Sequence, residues 1–138
     1  MTVDPNYRTL RRRAKELLIA AGSEIDADSK ALFLFYAVEC GLKALYMNLH
    51  KLETASAAGY RARSARSFGH RLDDLLAELR IPPSRISQRP VQLALRTGGR
   101  LQVLDLHEAW RYGEKVDAHT DVVIWLERIA TYMKQELG

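Results

Sequence analysis

The sequence has little cysteine: Cys40 is the only one among 138 residues. An intrachain disulfide is therefore excluded, and a single cysteine fits a protein of the reducing cytosol. A chain of this length is expected to form one domain. It can bury roughly two-thirds of its unfolded surface without a disulfide or metal to hold it together. Cys40 lies between Val38 and Leu42 in an apolar run, so we expect a buried, unreactive thiol.

Several motifs of catalysis and targeting are also absent. The sequence has no glycine-rich phosphate loop and no hydrolase motif built on Ser, His and Asp. It has no group of Cys, His and carboxylates at metal-ligand spacing, so we expect no metal and no cofactor. The start of the chain is charged rather than apolar, which does not resemble a secretory signal. The longest apolar run, 31–38, is too short to span a bilayer. These features predict a soluble cytoplasmic protein.

Positive charge is concentrated in the middle of the chain. Residues 51–100 carry ten basic and four acidic side chains, whereas residues 101–138 carry four basic and seven acidic ones. Of the 21 basic residues in the chain 15 are arginine, which is suited to bidentate contacts with phosphate. A basic middle segment that faces nucleic acid is one interpretation. A solvated loop of an arginine-rich protein is the other.

Apolar residues recur at helical spacing, and no convincing alternation of strand residues is present. The pattern predicts an all-α fold, a four- to five-helix up-and-down bundle that occupies residues 1–138 as one domain. The second helix is apolar on nearly every side and belongs at the centre of the bundle, with Cys40 and Gly41 as a notch for a neighbouring helix. The predicted helices run from an Asp4 N-cap to Gly22, from Asp26 or Asp28 to Leu49, over 70–80, 91–97 and 100–112, and from an Asp117 N-cap to Leu137.

Residues 52–69 are small, polar and rich in arginine, with Tyr60 and Phe68 interleaved. This composition predicts a mobile connection. Its arginines could contact a phosphate backbone while the aromatic rings stack on bases. A disordered connection without that role is an equal alternative. The candidate nucleic-acid-binding residues of this stretch are Arg61, Arg63, Arg66 and Arg71.

Two polar residues in apolar surroundings have alternative interpretations. Glu39 and Lys43 are spaced i, i+4 and are expected to pair, although a half-buried Glu39 could instead be a functional carboxylate. His70 is expected to make a structural hydrogen bond to a carboxylate or to cap a neighbouring turn. Trp110 and Trp125 are expected to be core or interface anchors.

Three segments resemble the HEPN domain family. FYAVECGLKALYM in the second helix resembles the corresponding helix of these domains. GHRLDDLLAEL is similar to their short third helix, and AWRYG is similar to the turn that ends their penultimate long helix. The resemblance covers about residues 6–137. It implies a small helical bundle that is commonly a homodimer.

The resemblance also implies a site. Active HEPN proteins are metal-independent endoribonucleases of toxin–antitoxin and antiviral defence systems, with an arginine followed after four to six residues by a histidine. The arginine holds the scissile phosphate, the histidine assists proton transfer, and two copies of the pair meet across the dimer. Arg111 and His119 match this pair, with seven residues between them that include a loop at 113–116. His107 lies four positions before Arg111 on the same helix face and is a second candidate partner for the arginine. Tyr112 and His70 are further supporting candidates.

Two functions remain open at this point. The chain could act on RNA, with Arg111 and His119 as catalytic residues and the arginine-rich stretch steering the substrate. His119 near the start of the last helix would then lie where free backbone N–H groups attract a phosphate. Alternatively it could be a catalytically inactive module that binds a co-encoded partner protein or a nucleotidyltransferase subunit. In that case Arg111 and His119 would pair with acidic neighbours, and His107 would be a solvated or capping residue.

Overall fold

A computed structural model describes residues 3–90 and 92–138, which form six α-helices and two short 3-10 turns. The described residues form isolated bridge pairs but no strand, so the predicted all-α class is confirmed. Three helices are long and three are short, whereas the sequence predicts four longer ones. The helices are α1 (Tyr7–Ser23), α2 (Ala27–His50), α3 (Leu72–Glu78), α4 (Pro83–Ile86), α5 (Leu106–Arg111) and α6 (His119–Leu137); the 3-10 turns are Ala65–Phe68 and Val103–Asp105.

Helices α1 and α2 form a hairpin across a three-residue connection. The predicted Asp4 cap is wrong, because α1 begins after Asn6, whose side chain accepts a hydrogen bond from the backbone of Thr9. Asp4 instead accepts hydrogen bonds from Ser56 in the connection after α2. Asp26 caps α2 as one of the two predicted alternatives, through the backbone N–H of Ser29 at 2.9 Å.

Helix α2 is the centre of the fold, as its apolar sequence predicts. Helices α1, α3, α5 and α6 all pack against it. By length and composition it could cross a membrane, but half of its most apolar stretch is buried inside the fold, and core helices pass the same test. Gly41 provides the expected notch, because a Cβ atom there would overlap the side chain of Met133 on α6.

The helix predicted over 91–97 is not found in residues 92–97, and Val91 lies outside the described residues. The chain instead folds back on itself at Gly98, whose φ is 108°. The backbone N–H of Leu95 donates to Gly99, and that of Leu101 donates to Leu93. Hydrogen bonds from this loop to residues 115–117 further satisfy its backbone, so a helix has no advantage there.

The ends of α5 and α6 differ from those predicted. α5 begins at Leu106 rather than near residue 100, because a 3-10 turn precedes it and the Asp105 carboxylate bonds the backbone of Gln102. It ends before Gly113, as expected, and Gly113 has a φ of 76°. The predicted Asp117 N-cap is wrong: Ala118 precedes α6 in the left-handed conformation, and the Asp117 side chain bonds the N–H of Ala118 instead.

The connection at 52–69, predicted to be mobile, is attached to the rest of the fold at several points. Ala65 and Phe68 are fully buried, and the Tyr46 hydroxyl donates to the backbone carbonyl of Arg63 at 2.6 Å. Burial of Phe68 supplies an apolar contact that a free linker would lack. Tyr60, in contrast, is 87% exposed at a projecting turn.

The notch at Gly41 gives a test of the packing between α2 and α6. Gly41→Ala should lower the free energy of unfolding by about 1–3 kcal/mol, because the added methyl group displaces the buried Met133 side chain. In a Met133→Ala background the same change should be neutral or stabilising by about 1 kcal/mol, the helix-propensity gain of alanine over glycine. Denaturant unfolding of the four proteins measures this coupling. If Gly41→Ala changes the free energy of unfolding equally in both backgrounds, the close contact between Gly41 and Met133 is contradicted.

Candidate active site

Side chains from three separate segments meet on one face of α2. Helix α2 contributes Tyr36 and Glu39, which are three residues apart and therefore on the same face. The turn before α3 contributes His70, and α5 contributes His107 and Arg111. The imidazole rings of His70 and His107 are 3.8 Å apart between centroids, tilted by 35°. We call Tyr36, Glu39, His70, His107 and Arg111 the histidine cluster.

His70 is bound to a carboxylate, as expected, but the acceptor comes from α2. Its Nδ1 is 2.5 Å from Oε1 of Glu39. The Glu39 side chain is 12% exposed and also lies 3.7 Å from Nζ of Lys43, so the predicted pair of Glu39 and Lys43 is present. Because Nδ1 of His70 is engaged with Glu39, Nε2 is the ring nitrogen left for other partners.

His107 is buried, with 4% of its surface exposed, so a solvated or capping role is wrong for this residue. Its ring stacks on Phe35 at 5.7 Å between centroids. Nδ1 of His107 is 3.3 Å from both the Arg111 guanidinium and the Tyr36 hydroxyl. A guanidinium can only donate, so Nδ1 is the acceptor and the neutral ring carries its proton on Nε2.

The surroundings favour the neutral form of His107 and the positively charged form of Arg111. Burial, together with the nearby His70 and Arg111, lowers the pKa of His107 below its ordinary value. Hydrogen bonds to the hydroxyls of Tyr36 and Tyr112 raise the pKa of Arg111. The site thus presents a neutral imidazole beside a fixed, solvent-exposed positive charge. Such a pair can bind an anion and accept a proton next to it.

Arg111 and His119, the pair suggested by the resemblance, make different contacts. Arg111 turns toward Tyr36 and His107 on the side of α2. His119 accepts a hydrogen bond from the indole N–H of Trp110 through Nδ1, at 3.2 Å. No hydrogen bond joins Arg111 to His119 within the described ranges. The Trp110 that His119 contacts is buried and precedes Arg111 in the chain.

The four arginines predicted to bind nucleic acid have different surroundings. Arg61 lies over the exposed ring of Tyr60. Arg63 covers the Phe68 ring and bonds Ser67, and Arg66 bonds the carbonyl of Val3 and lies 3.6 Å from Asp4. Arg63 and Arg66 therefore hold the connection together. Arg71 lies directly after His70 in the wall of a groove and so is the one that adjoins the histidine cluster.

The sequence patterns described above do not predict a role for Tyr36 or the contact between Glu39 and His70. A signal was present, since Tyr36, Glu39 and Lys43 are the polar positions of an otherwise apolar stretch, at spacings of three and four residues. That spacing places them on one face that the core leaves open. Among the described residues, no group of three or more side chains has the arrangement of a metal site.

Comparison with protein families, with curated proteins and with solved structures gave no match. The site must therefore be interpreted from its own geometry.

Burial of His107 predicts a pH dependence of stability. Its pKa is lowered in the fold, so between the unfolded value of about 6.5 and the lower folded value the unfolded chain binds the extra proton. The contribution of His107 to the free energy of unfolding is therefore fully present above about pH 6.5 and is lost as the pH falls toward the folded pKa. His107→Asn should show a smaller loss of unfolding free energy than the wild type between about pH 7.5 and pH 5. If the free energy of unfolding changes with pH in the same way in both proteins, the lowered pKa of His107 is contradicted.

Cys40 should react slowly with alkylating reagents. Burial raises the pKa of its thiol to about 11, and the neighbouring Glu39 carboxylate acts in the same direction. The thiolate is the reactive form, so its fraction near neutral pH is very small. Iodoacetamide should modify the folded protein far more slowly than the denaturant-unfolded chain. Similar rates, measured by mass spectrometry, would show an accessible thiol.

Proposed function

We propose that this protein is a HEPN-like bundle that acts on RNA in a defence or toxin–antitoxin type system and cleaves it without a metal ion. The observation that carries the proposal is the close pair of imidazoles, His70 and His107, beside the exposed guanidinium of Arg111. Two groups for proton transfer and one for phosphate binding are the components that cleavage of a ribonucleotide chain requires.

The chemistry assigns one role to each group. The ribose 2′-oxygen attacks the phosphorus, and the bond from phosphorus to the 5′-oxygen breaks, which leaves a 2′,3′-cyclic phosphate. Arg111 binds the non-bridging oxygens and stabilises their developing charge. His107 is neutral and accepts the proton of the 2′-hydroxyl at Nδ1 once Arg111 has turned to the phosphate. His70, when protonated and paired with Glu39, gives a proton to the leaving 5′-oxygen.

The resemblance to HEPN domains supports the same class of reaction with a different histidine. In that family the arginine works with a histidine at the start of the last helix, across a homodimer, and His119 has that position here. Within one copy of this chain, Arg111 contacts His107 instead. We therefore assign the proton transfers to His107 and His70. We assign His119 a positioning role through its hydrogen bond with Trp110.

The experiment compares cleavage of a mixed-sequence RNA in EDTA by the wild type and by single variants. His70→Gln and His107→Gln should each lower the rate by about 10²–10⁴-fold, the usual contribution of a general acid or base. Arg111→Ala should lower it by about 10²–10³-fold. His119→Ala should have a smaller effect. Thermal unfolding of each variant shows whether the fold is retained.

Matched controls separate the site from general charge effects. Arg12→Ala removes an exposed arginine of α1 that does not belong to the cluster and should cleave like the wild type. Glu39→Gln should shift the pH profile of cleavage, since Glu39 acts through His70. Wild-type protein that leaves RNA intact in EDTA would refute metal-independent cleavage. If His119→Ala lowers the cleavage rate more than His107→Gln does, the catalytic pair is Arg111 and His119 instead.

A catalytically inactive module that binds a co-encoded partner, such as a nucleotidyltransferase subunit, is the second candidate. Two exposed apolar side chains favour it: Ile19, which lies on α1 and is 75% exposed, and Ile25, which lies in the turn after α1 and is 97% exposed. Ile19 also lines a shallow, mainly apolar cavity with Leu18. Such exposed apolar surface is typical of binding sites for proteins. This candidate would be supported by wild-type protein that leaves RNA intact and forms a stable complex with the product of an adjacent gene.

A further inference from the structure

A groove is formed by segments that adjoin His70 and His107 in the chain. Its volume is about 760 Å³, within the range of sites for small ligands, and it lies between the start of α3 and the segment 92–104. Two chain connections place it next to the cluster. Arg71 in its wall follows His70, and Leu104 in its wall precedes His107 by three residues. The wall of the groove is thus continuous in the chain with His70 and His107, although none of the cluster side chains lines it.

The basic side chains of the groove differ in whether they are already paired. Arg89 lies 3.3 Å from the carboxylate of Asp73. Arg71 and Arg100 are exposed, and within residues 3–90 and 92–138 neither forms an ion pair with a carboxylate. Both guanidinium groups are therefore available for a phosphate group, which arginine binds in bidentate fashion.

The acidic side chains of the same groove argue against a site for phosphate alone. Asp73 is half-buried, Asp74 is exposed, and both line the groove. A carboxylate repels phosphate but accepts hydrogen bonds from amino groups, as it does from the exocyclic amino group of cytosine. Asp73 pairs with Arg89 through Oδ2, so its Oδ1 and the carboxylate of Asp74 are the acceptors for a base, while Arg71 and Arg100 are the donors for an anion. A nucleotide carries both complementary groups on one molecule.

We propose that this groove binds one nucleotide of single-stranded RNA next to the phosphate that is cleaved. The inference rests on the proposed function. Arg71 and Arg100 contact the phosphate of this nucleotide, and the aspartates Asp73 and Asp74 accept hydrogen bonds from the amino group of its base. Adenine, cytosine and guanine carry such a group, whereas uracil does not. The groove therefore discriminates against uridine at this position.

The test is an NMR titration of the full chain with the four nucleoside 5′-monophosphates and with inorganic phosphate. Shifts of backbone amide signals should be concentrated in residues 70–74 and 92–104. Adenosine, cytidine and guanosine monophosphates should bind more tightly than uridine monophosphate, and inorganic phosphate should bind most weakly. Arg100→Ala should weaken binding of adenosine monophosphate by about tenfold, the loss expected for a hydrogen bond to a charged group. Arg12→Ala should leave it unchanged.

Each part of the proposal would be contradicted by a different result. Absence of shifts, or shifts confined to other surfaces, would overturn the nucleotide site. Equal affinity for uridine monophosphate would overturn the contact of the base with Asp73 and Asp74. If inorganic phosphate binds as tightly as the nucleoside monophosphates, the groove binds an anion and does not contact the base. His107→Gln should bind adenosine monophosphate as the wild type does, which separates this site from catalysis. A wild type that binds nucleotides but leaves RNA intact would refute only the cleavage.

Discussion

The burial of Phe35 in the middle of α2 is the interaction on which the site depends. Its ring is fully enclosed, stacks on His107 and meets Trp110 edge-on at 6.4 Å between centroids. This contact fixes the distance of α5 from α2. With Phe35 directed into the core, Tyr36 and Glu39 lie toward the side where α5 and the turn before α3 approach. The aromatic packing therefore decides which polar side chains can meet.

The sequence is sufficient to predict the long helices but not the cluster. Helical periodicity identified α1, α2 and α6 because their apolar stripes extend over many turns. It also indicated the Gly41 notch and the turn at Gly113. The contact between Glu39 and His70 joins residues 31 positions apart, and that between Tyr36 and His107 joins residues 71 apart. Local spacing contains no information about such pairs. The contact between Arg111 and His107, in contrast, follows from their i, i+4 spacing on one helix, whereas the family resemblance indicates His119 as the partner of Arg111.

The errors at the helix ends have a common physical cause. Asp4 and Asp117 each stand where a capping residue is expected, yet both side chains bond elsewhere. A short carboxylate can satisfy a nearby turn as well as a helix end, and the tertiary fold decides between them. The segment 91–97 likewise has helical composition, but its described part pairs with residues 115–117 instead. Propensity is a weak guide where long-range backbone hydrogen bonds compete with a short helix.

The separation in sequence of the cluster residues has a consequence for how the protein folds. The α1–α2 hairpin consists of local contacts and is expected to form early, because closing its short turn costs little entropy. The hydrogen bond between Tyr36 and His107 closes a loop of 71 residues, which costs more entropy than closing the short turn of the hairpin. We therefore expect the α1–α2 hairpin to form before the site is assembled. A chain that has formed only this hairpin would then carry Tyr36 and Glu39 without their partners.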